Sequence, residues 1–411
     1  MTDKRPPRLL IVSHYFAPSA NTSGKRVTRL ARLLAGKGSP PAVVTCGEEL
    51  YGDRLGGTSA LRDELETYEV RPRGVSGRPA QKSWPVRQFV KAAFMTGYHR
   101  AIGCALASTE ERPDFLFFRG VPFWYFPSAP VHSRRWGIPY VLDLGDVWHM
   151  GGVAYSRWQR RGPRSIVDSA CEAWSVARAS LVVLTTREQT ELYRTRYASH
   201  PRSRFMTVRW GYDREVLSNL NPAEKPPAAF RVVISGSFTR YRPELGGILA
   251  RGIRGCGETE RVEVLHVGHP EPALEGAFRR AGLSACLRTY GVVPYGRAME
   301  ILASADCAVA CPLSPLSLPV KLYDYIGLNR PVLAFSAQDT AMERLLESFP
   351  GAFIVEGPGD VTEALNRMLR GEVTELQDGL APAPYSQERQ FDRLLERLTL
   401  LLRPSLRAGH G

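Results

Sequence analysis

Short apolar runs recur along the chain, each followed by a longer stretch of helical periodicity: LLIVS from Leu9, AVVT from Ala42, FLFF from Phe115, YVLDL from Tyr140, LVVLTT from Leu181 and FMTV from Phe205. Runs apolar on both faces suit strands of a parallel sheet covered by helices on each side. The first half therefore predicts a doubly wound α/β domain. After NLNPAEKPPAA, the alternation begins again with FRVVISGS, VEVLHVG, LRTYGVV, CAVACPL, VLAFS and AFIVE. The expected organisation is a first domain over 1–218, a linker over 219–229, a second α/β domain over 230–385, and a last segment, 386–411. Within that segment Phe391, Leu394, Leu395, Leu398 and Leu401 share a helical period. Ligands of such sheets bind beyond the strand carboxyl ends, so a cleft between the two halves is the expected site.

Tyr51 to Arg112 is less regular. In it, residues 84–106 combine Trp84, Phe89, Val90, Phe94 and Met95 with Arg87, Lys91, His99 and Arg100. Such a helix either packs on its domain or lies in a membrane interface.

Composition and charge narrow the function classes. The 411 residues carry a net charge of +13, which favours phosphorylated ligands or an anionic lipid surface. Arginine is scattered and no nucleic-acid-reading motif is present, so nucleic acid is not an expected partner. The seven cysteines are spread out, with no zinc spacing, and read as small core residues of a reducing compartment. No run of eighteen apolar residues occurs and no signal peptide is recognisable, so the expected location is cytoplasmic, including the inner face of the cell membrane.

Three places could carry chemistry. The first strand runs into SHYFAPSANTSGKRVTRLARLL, where Thr22 or Ser23 can cap a helix and Gly24 would let a ligand approach the backbone, with Lys25, Arg26 and Arg29 adding charge. It is neither a dinucleotide nor a P-loop fingerprint. The strand YVLDLGDVW puts Asp143 and Asp146 at its carboxyl end, fit to orient a hydroxyl, accept a proton or hold a turn. Backbone groups from Gly291 to Val293 would face the cleft and could hold a base. Finally, Pro319 and Val320 precede a short helix bearing Lys321 and Asp324. Lysine at a helix start can neutralise a diphosphate, and a carboxylate one turn on can receive ribose hydroxyls; a surface ion pair is the plainer alternative.

In order and spacing, LLIVSHYFAP, SGKRVTRLARLLAGKG, IPYVLDLGDVW, ASLVVLTTREQTELY, RWGYD, VVISGSFT, YGVVPYGRAMEILASADCAVA and PVKLYDYIGLNRPVLAF resemble a GT-B glycosyltransferase, most closely family 4. The resemblance implies two Rossmann-like domains facing across a cleft, the first for the acceptor and the second for a nucleotide sugar. It implies sugar transfer with retention from a nucleoside diphosphate sugar, a UDP sugar first, to an acceptor hydroxyl. No metal and no cofactor beyond the donor are implied. Combined with the residues above, this reading gives the donor to Gly24, Gly236, Arg240, Arg242, Val293, Pro319, Val320, Lys321 and Asp324, and hydroxyl orientation to Asp143, Asp146 and His14. Surface polysaccharide or glycolipid assembly is the implied setting, with lipid-linked and soluble acceptors both open. Leu316 stands where many members carry a first glutamate, and Ser237 follows Gly236 where many carry arginine, which leaves a non-catalytic nucleotide-binding subunit as an alternative. An epimerase or phosphorylase of the same fold is another.

Overall fold

The computed structural model describes residues 5–19, 21–51, 60–72, 84–148, 163–240, 242–373 and 383–403. The chain divides into two compact units, Met1–Val208 with Phe391–Gly411, and Arg209–Gln390.

The first unit holds a parallel sheet of β1 (Leu9–Ser13), β2 (Ala42–Cys46), β3 (Thr67–Val70), β4 (Phe115–Arg119), β5 (Tyr140–Asp143), β6 (Leu181–Leu184) and β7 (Phe205–Thr207), in the order β3-β2-β1-β4-β5-β6-β7. The order reverses direction at β1, the switch point of a doubly wound sheet. Alternation of side chains sends Leu10, Val12, Leu116 and Phe118 to one face and Leu9, Ile11, Phe115 and Phe117 to the other. Phe94, Tyr98 and Ile102 cover the former face; Leu30, Leu34, Phe391, Leu394 and Leu398 cover the latter. Parallel register pairs Ser13 with Arg119 and Arg119 with Asp143. Three polar residues thus form one row at the carboxyl edge.

The second unit holds β8 (Phe230–Ser235), β9 (Val262–Val267), β10 (Leu287–Gly291), β11 (Cys307–Ala310), β12 (Val332–Phe335) and β13 (Ala352–Val355), all parallel, in the order β10-β9-β8-β11-β12-β13. Its switch point is β8. One face packs Val232 and Ile234 under Leu249, Ile253, Val361 and Leu365, and the other packs Val233 and Leu265 against Leu302, Leu322 and Ile326.

Two sequence expectations change. The stretch 219–229 is no loose linker, because Ala223 N donates to Glu300 O at 2.9 Å and Lys225 Nζ meets Asp306 at 2.6 Å within the second unit. The chain passes between units earlier, at Val208 and Arg209, and residues from Phe391 onward return to the first. The helix expected over 84–106 forms as Trp84–Ser108, and of its two readings packing on the domain holds for Val90 and Phe94, which are buried in the core. The side chains of Trp84 and Phe89 lie outside the described residues. None of the seven cysteines is in a disulfide.

Candidate functional site

At the carboxyl edge of the first sheet, Asp143 sits between two arginines. Arg26 Nε donates to its Oδ2 at 2.9 Å and Arg119 Nη1 to its Oδ1 at 3.1 Å, all three side chains buried. Arg26 also donates to Val208 O at 3.0 Å. Burial pulls the Arg119 pKa down, while Asp143 holds it up. Asp143 was expected to orient a substrate hydroxyl. Both of its oxygens are instead engaged with guanidinium groups, so its work is to neutralise buried arginines. Gly145, at φ +74°, makes room: a Cβ there would fall 2.4 Å from Arg119 Nη1.

Asp146 is the carboxylate that reaches the surface of this edge. The protein around it raises its pKa, with Arg119 acting in the other direction. It suits the acceptor or proton-handling role better than Asp143 does.

His14 is buried in an aromatic enclosure, its ring centroid 4.8 Å from Tyr15, 5.4 Å from Phe94 and 5.5 Å from Trp124. Its Nδ1 bonds Tyr98 OH at 3.2 Å, and burial lowers its pKa to about 3. The imidazole is therefore neutral at physiological pH. It can take part in hydrogen bonding, but it carries no charge and is no general acid there.

The expected loop-to-helix junction forms at Thr22–Gly36, capped by Asn21, whose Oδ1 accepts from Ser23 N at 2.9 Å, rather than by Thr22 or Ser23. Gly24 is not open to a ligand: a Cβ there would lie 3.1 Å from Tyr15 Cβ and 3.4 Å from Ser19 Cβ. Its small size serves packing inside the loop.

In the second unit, the loop leaving β8 is held from several sides. Gly236, at φ +68°, donates to Val267 O at 2.7 Å, and its carbonyl meets His266 Nε2 at 3.2 Å. Phe238 N and Thr239 N donate to the two oxygens of buried Glu271 at 2.8 and 2.7 Å, and Thr239 Oγ1 donates at 2.9 Å. Lys321 Nζ reaches the same loop, donating to Ser235 O at 2.6 Å and Ser237 O at 3.1 Å. Gly268 permits this tight approach, since a Cβ on it would stand 3.0 Å from Gly236 Cα.

Burial pulls the Lys321 pKa down; Cys311 and Glu271 oppose the change. Asp324 is buried, and its Oδ1 accepts from Tyr295 OH at 2.9 Å. Lys321 and Asp324 thus turn to different partners rather than forming the plain ion pair. Pro319 and Val320 precede the Lys321–Gly327 helix, but the first-turn amides of Leu322 and Tyr323 already donate to their carbonyls, at 3.0 and 3.1 Å. Those two amides are therefore already paired within the helix start. Val293 and Tyr295 are both half-buried against the core of the second unit.

Arg240 is exposed on the β8 loop, and Arg242 makes an exposed ion pair with Glu244 at 3.0 Å. Sequence reasoning missed Arg119, Glu271, His266 and Tyr295. Glu271 directly precedes Pro272 at the start of a helix, and nothing local to it points to the β8 loop. Among the described residues, no group of three or more His, Cys, Asp and Glu side chains could hold a metal ion.

Residues 21–211 match the model of the glycosyl transferase 4-like domain. Among solved structures, the chain is similar to HepE of Anabaena in complex with UDP and glucose, at 14% identity and TM-score 0.61, covering 96% of this chain and 100% of that one. It is similar to the sucrose-phosphate synthase of Thermosynechococcus elongatus, at 13% identity and TM-score 0.63, covering 97% and 95%. WaaG, a glycosyltransferase involved in lipopolysaccharide biosynthesis, matches at 14% identity and TM-score 0.59, covering 94% and 95%. No curated protein matches the sequence. With its two doubly wound parallel sheets, the chain has the GT-B fold, and its residues 21–211 are similar to the glycosyl transferase 4-like domain.

Proposed function

We propose that this protein transfers a sugar from a nucleoside diphosphate sugar, a UDP sugar first, to an acceptor hydroxyl, with retention at the anomeric carbon. The observation that carries the reading is the seat of Lys321. An ammonium has three protons, and two go to the carbonyls of Ser235 and Ser237. The third is left for a ligand. Ser237, exposed on the same loop, is the one residue from Gly236 to Thr239 whose amide makes no bond among the described residues. A lysine proton and a loop amide on a fixed frame are a preorganised seat for a departing diphosphate. Arg240, on the same loop, adds positive charge at its rim. The UDP and glucose held by HepE agree with this donor class.

Asp324 would receive donor hydroxyls alongside Tyr295, and Val293 would flank the base. Asp146, with its raised pKa, would orient the acceptor hydroxyl, and the leaving diphosphate would take the proton. The match to WaaG supports a place in surface polysaccharide or glycolipid assembly. Product analysis tests the reading. Purified protein, offered UDP and GDP sugars with a panel of alcohol acceptors, should release nucleoside diphosphate in step with a new glycoside whose anomeric proton shows the donor's configuration. Release of free sugar alone, or an epimerised nucleotide sugar, would replace transfer with hydrolysis or epimerisation.

A further inference from the structure

The Pro163–Ala177 helix of the first unit turns an apolar face outward. Its outward residues are Ile166, Val167, Ala170, Ala173, Trp174 and Ala177, all exposed and spaced as one helical face. Ile166 is 71%, Val167 60% and Trp174 50% exposed. On the inward side Val176 and Cys171 meet the core, and the other residues are polar. Glu172 is buried beside the Tyr193 hydroxyl, Ser175 is buried with Oγ donating to Cys171 O at 2.7 Å, and Ser169 Oγ accepts from Arg196 Nη2 at 2.9 Å. A surface helix ordinarily turns its apolar stripe to the core. Here the stripe faces away from it.

The surroundings of the stripe are basic. The adjoining Ser128–Trp136 helix exposes Val131, Arg134 and Arg135, and Arg178 follows directly on the stripe. Trp174 is held at the seam: its indole N–H donates to Pro127 O at 3.3 Å, and the Arg178 guanidinium lies 6.0 Å from its ring centroid. A shallow hollow there is lined by Pro130, Val131, the three arginines and Trp174. Neither the 128–136 helix nor the neighbouring Trp84–Ser108 helix contains any Asp or Glu. The stripe helix has two carboxylates, Asp168, half-buried, and Glu172, buried, both off the outward face.

A partner for this face must accept aliphatic and indole groups in its middle and offer negative charge at its border. A second copy meeting it about a two-fold axis would set arginines against arginines with no carboxylate between them. An anionic bilayer meets both requirements: headgroups neutralise the arginines, Trp174 sits at the headgroup level, and Ile166 and Val167 enter the acyl boundary. We infer that the apolar face of the 163–177 helix, with Arg134, Arg135 and Arg178, docks this protein on an anionic lipid bilayer. The inference does not depend on the glycosyl-transfer reading, and it places the contact on a different helix from residues 84–106.

The test is co-sedimentation of the full chain with vesicles of phosphatidylcholine alone and of phosphatidylcholine mixed with phosphatidylglycerol. Wild type should partition onto the mixed vesicles at least about tenfold better than onto neutral ones, and added salt should weaken the binding. Two variants should each lose most of it while keeping the wild-type Tm: Val167→Ser with Trp174→Ser, and Arg134→Glu with Arg135→Glu. All four side chains point outward, and the second pair leaves the apolar stripe intact. Binding unchanged in both variants, or absent in wild type, would overturn the proposal. So would wild-type dimerisation in sedimentation velocity that is lost in the Val167→Ser, Trp174→Ser variant.

Discussion

Arg26 Nε and Asp143 Oδ2 are 2.9 Å apart and buried, although 117 positions separate them in the chain. Together with Arg119 they fix the first helix, β4 and β5 at one edge of the sheet. Asp143→Ala would leave two buried guanidinium groups without their counter-charge. The expected cost is about 3–5 kcal/mol, read as a lowered Tm or a lowered denaturant midpoint. A variant of unchanged stability would show that the pairs are not closed as described.

His14 makes stability depend on pH in a definite direction. Its folded pKa is about 3, against about 6.5 in the unfolded chain. Between those values the unfolded chain holds a proton that the folded chain excludes. Its contribution is therefore intact above pH about 6.5 and is lost as pH falls toward 3, at up to about 1.4 kcal/mol per pH unit. Buried His132, lowered to about 4, acts in the same sense. Thermal melts of wild type and His14→Gln between pH 7 and 5 should converge as pH falls, because only the wild type loses this contribution; a constant gap would mean that His14 titrates normally.

Glu271 is the other anchor of the β8 loop. Glu271→Gln turns one charged acceptor into an amide facing two N–H donors, and should destabilise by about 1.5–3 kcal/mol. Nucleotide affinity should fall with it, since the Ser237 amide and the Lys321 ammonium share that loop. A thermal melt and a titration with UDP check both arms.

Asp324 and Tyr295 can be separated by substitution. Asp324→Asn should raise the donor KM about tenfold if the carboxylate receives donor hydroxyls. Tyr295→Phe, which releases one carboxylate oxygen, should leave KM within about threefold. Equal damage from both would mean that Asp324 serves mainly to hold Tyr295.

Most of the fold was legible because strands buried on both faces announce themselves as unbroken apolar runs. β3 did not, since Thr67, Tyr68 and Glu69 are half-buried at a sheet edge and form no such run. The site was legible by position and less so by role. Asp143 stands at the strand end where functional groups gather, but its partners lie 117 and 24 residues away, so no local pattern reveals that both oxygens are occupied. Arg119 closes an apolar strand and looks like a residue entering solvent. Gly24 suggested an opening because its neighbour Tyr15, which fills that space, becomes a neighbour only once the loop folds.

The seat of the diphosphate at Lys321 is tested by calorimetric binding of UDP and GDP to wild type, Lys321→Met and Lys321→Arg. One nucleoside diphosphate should bind wild type, Lys321→Met should lose at least about tenfold in affinity, and Lys321→Arg should recover part of it. Undiminished binding to a folded Lys321→Met protein would contradict the placement of the diphosphate at this lysine.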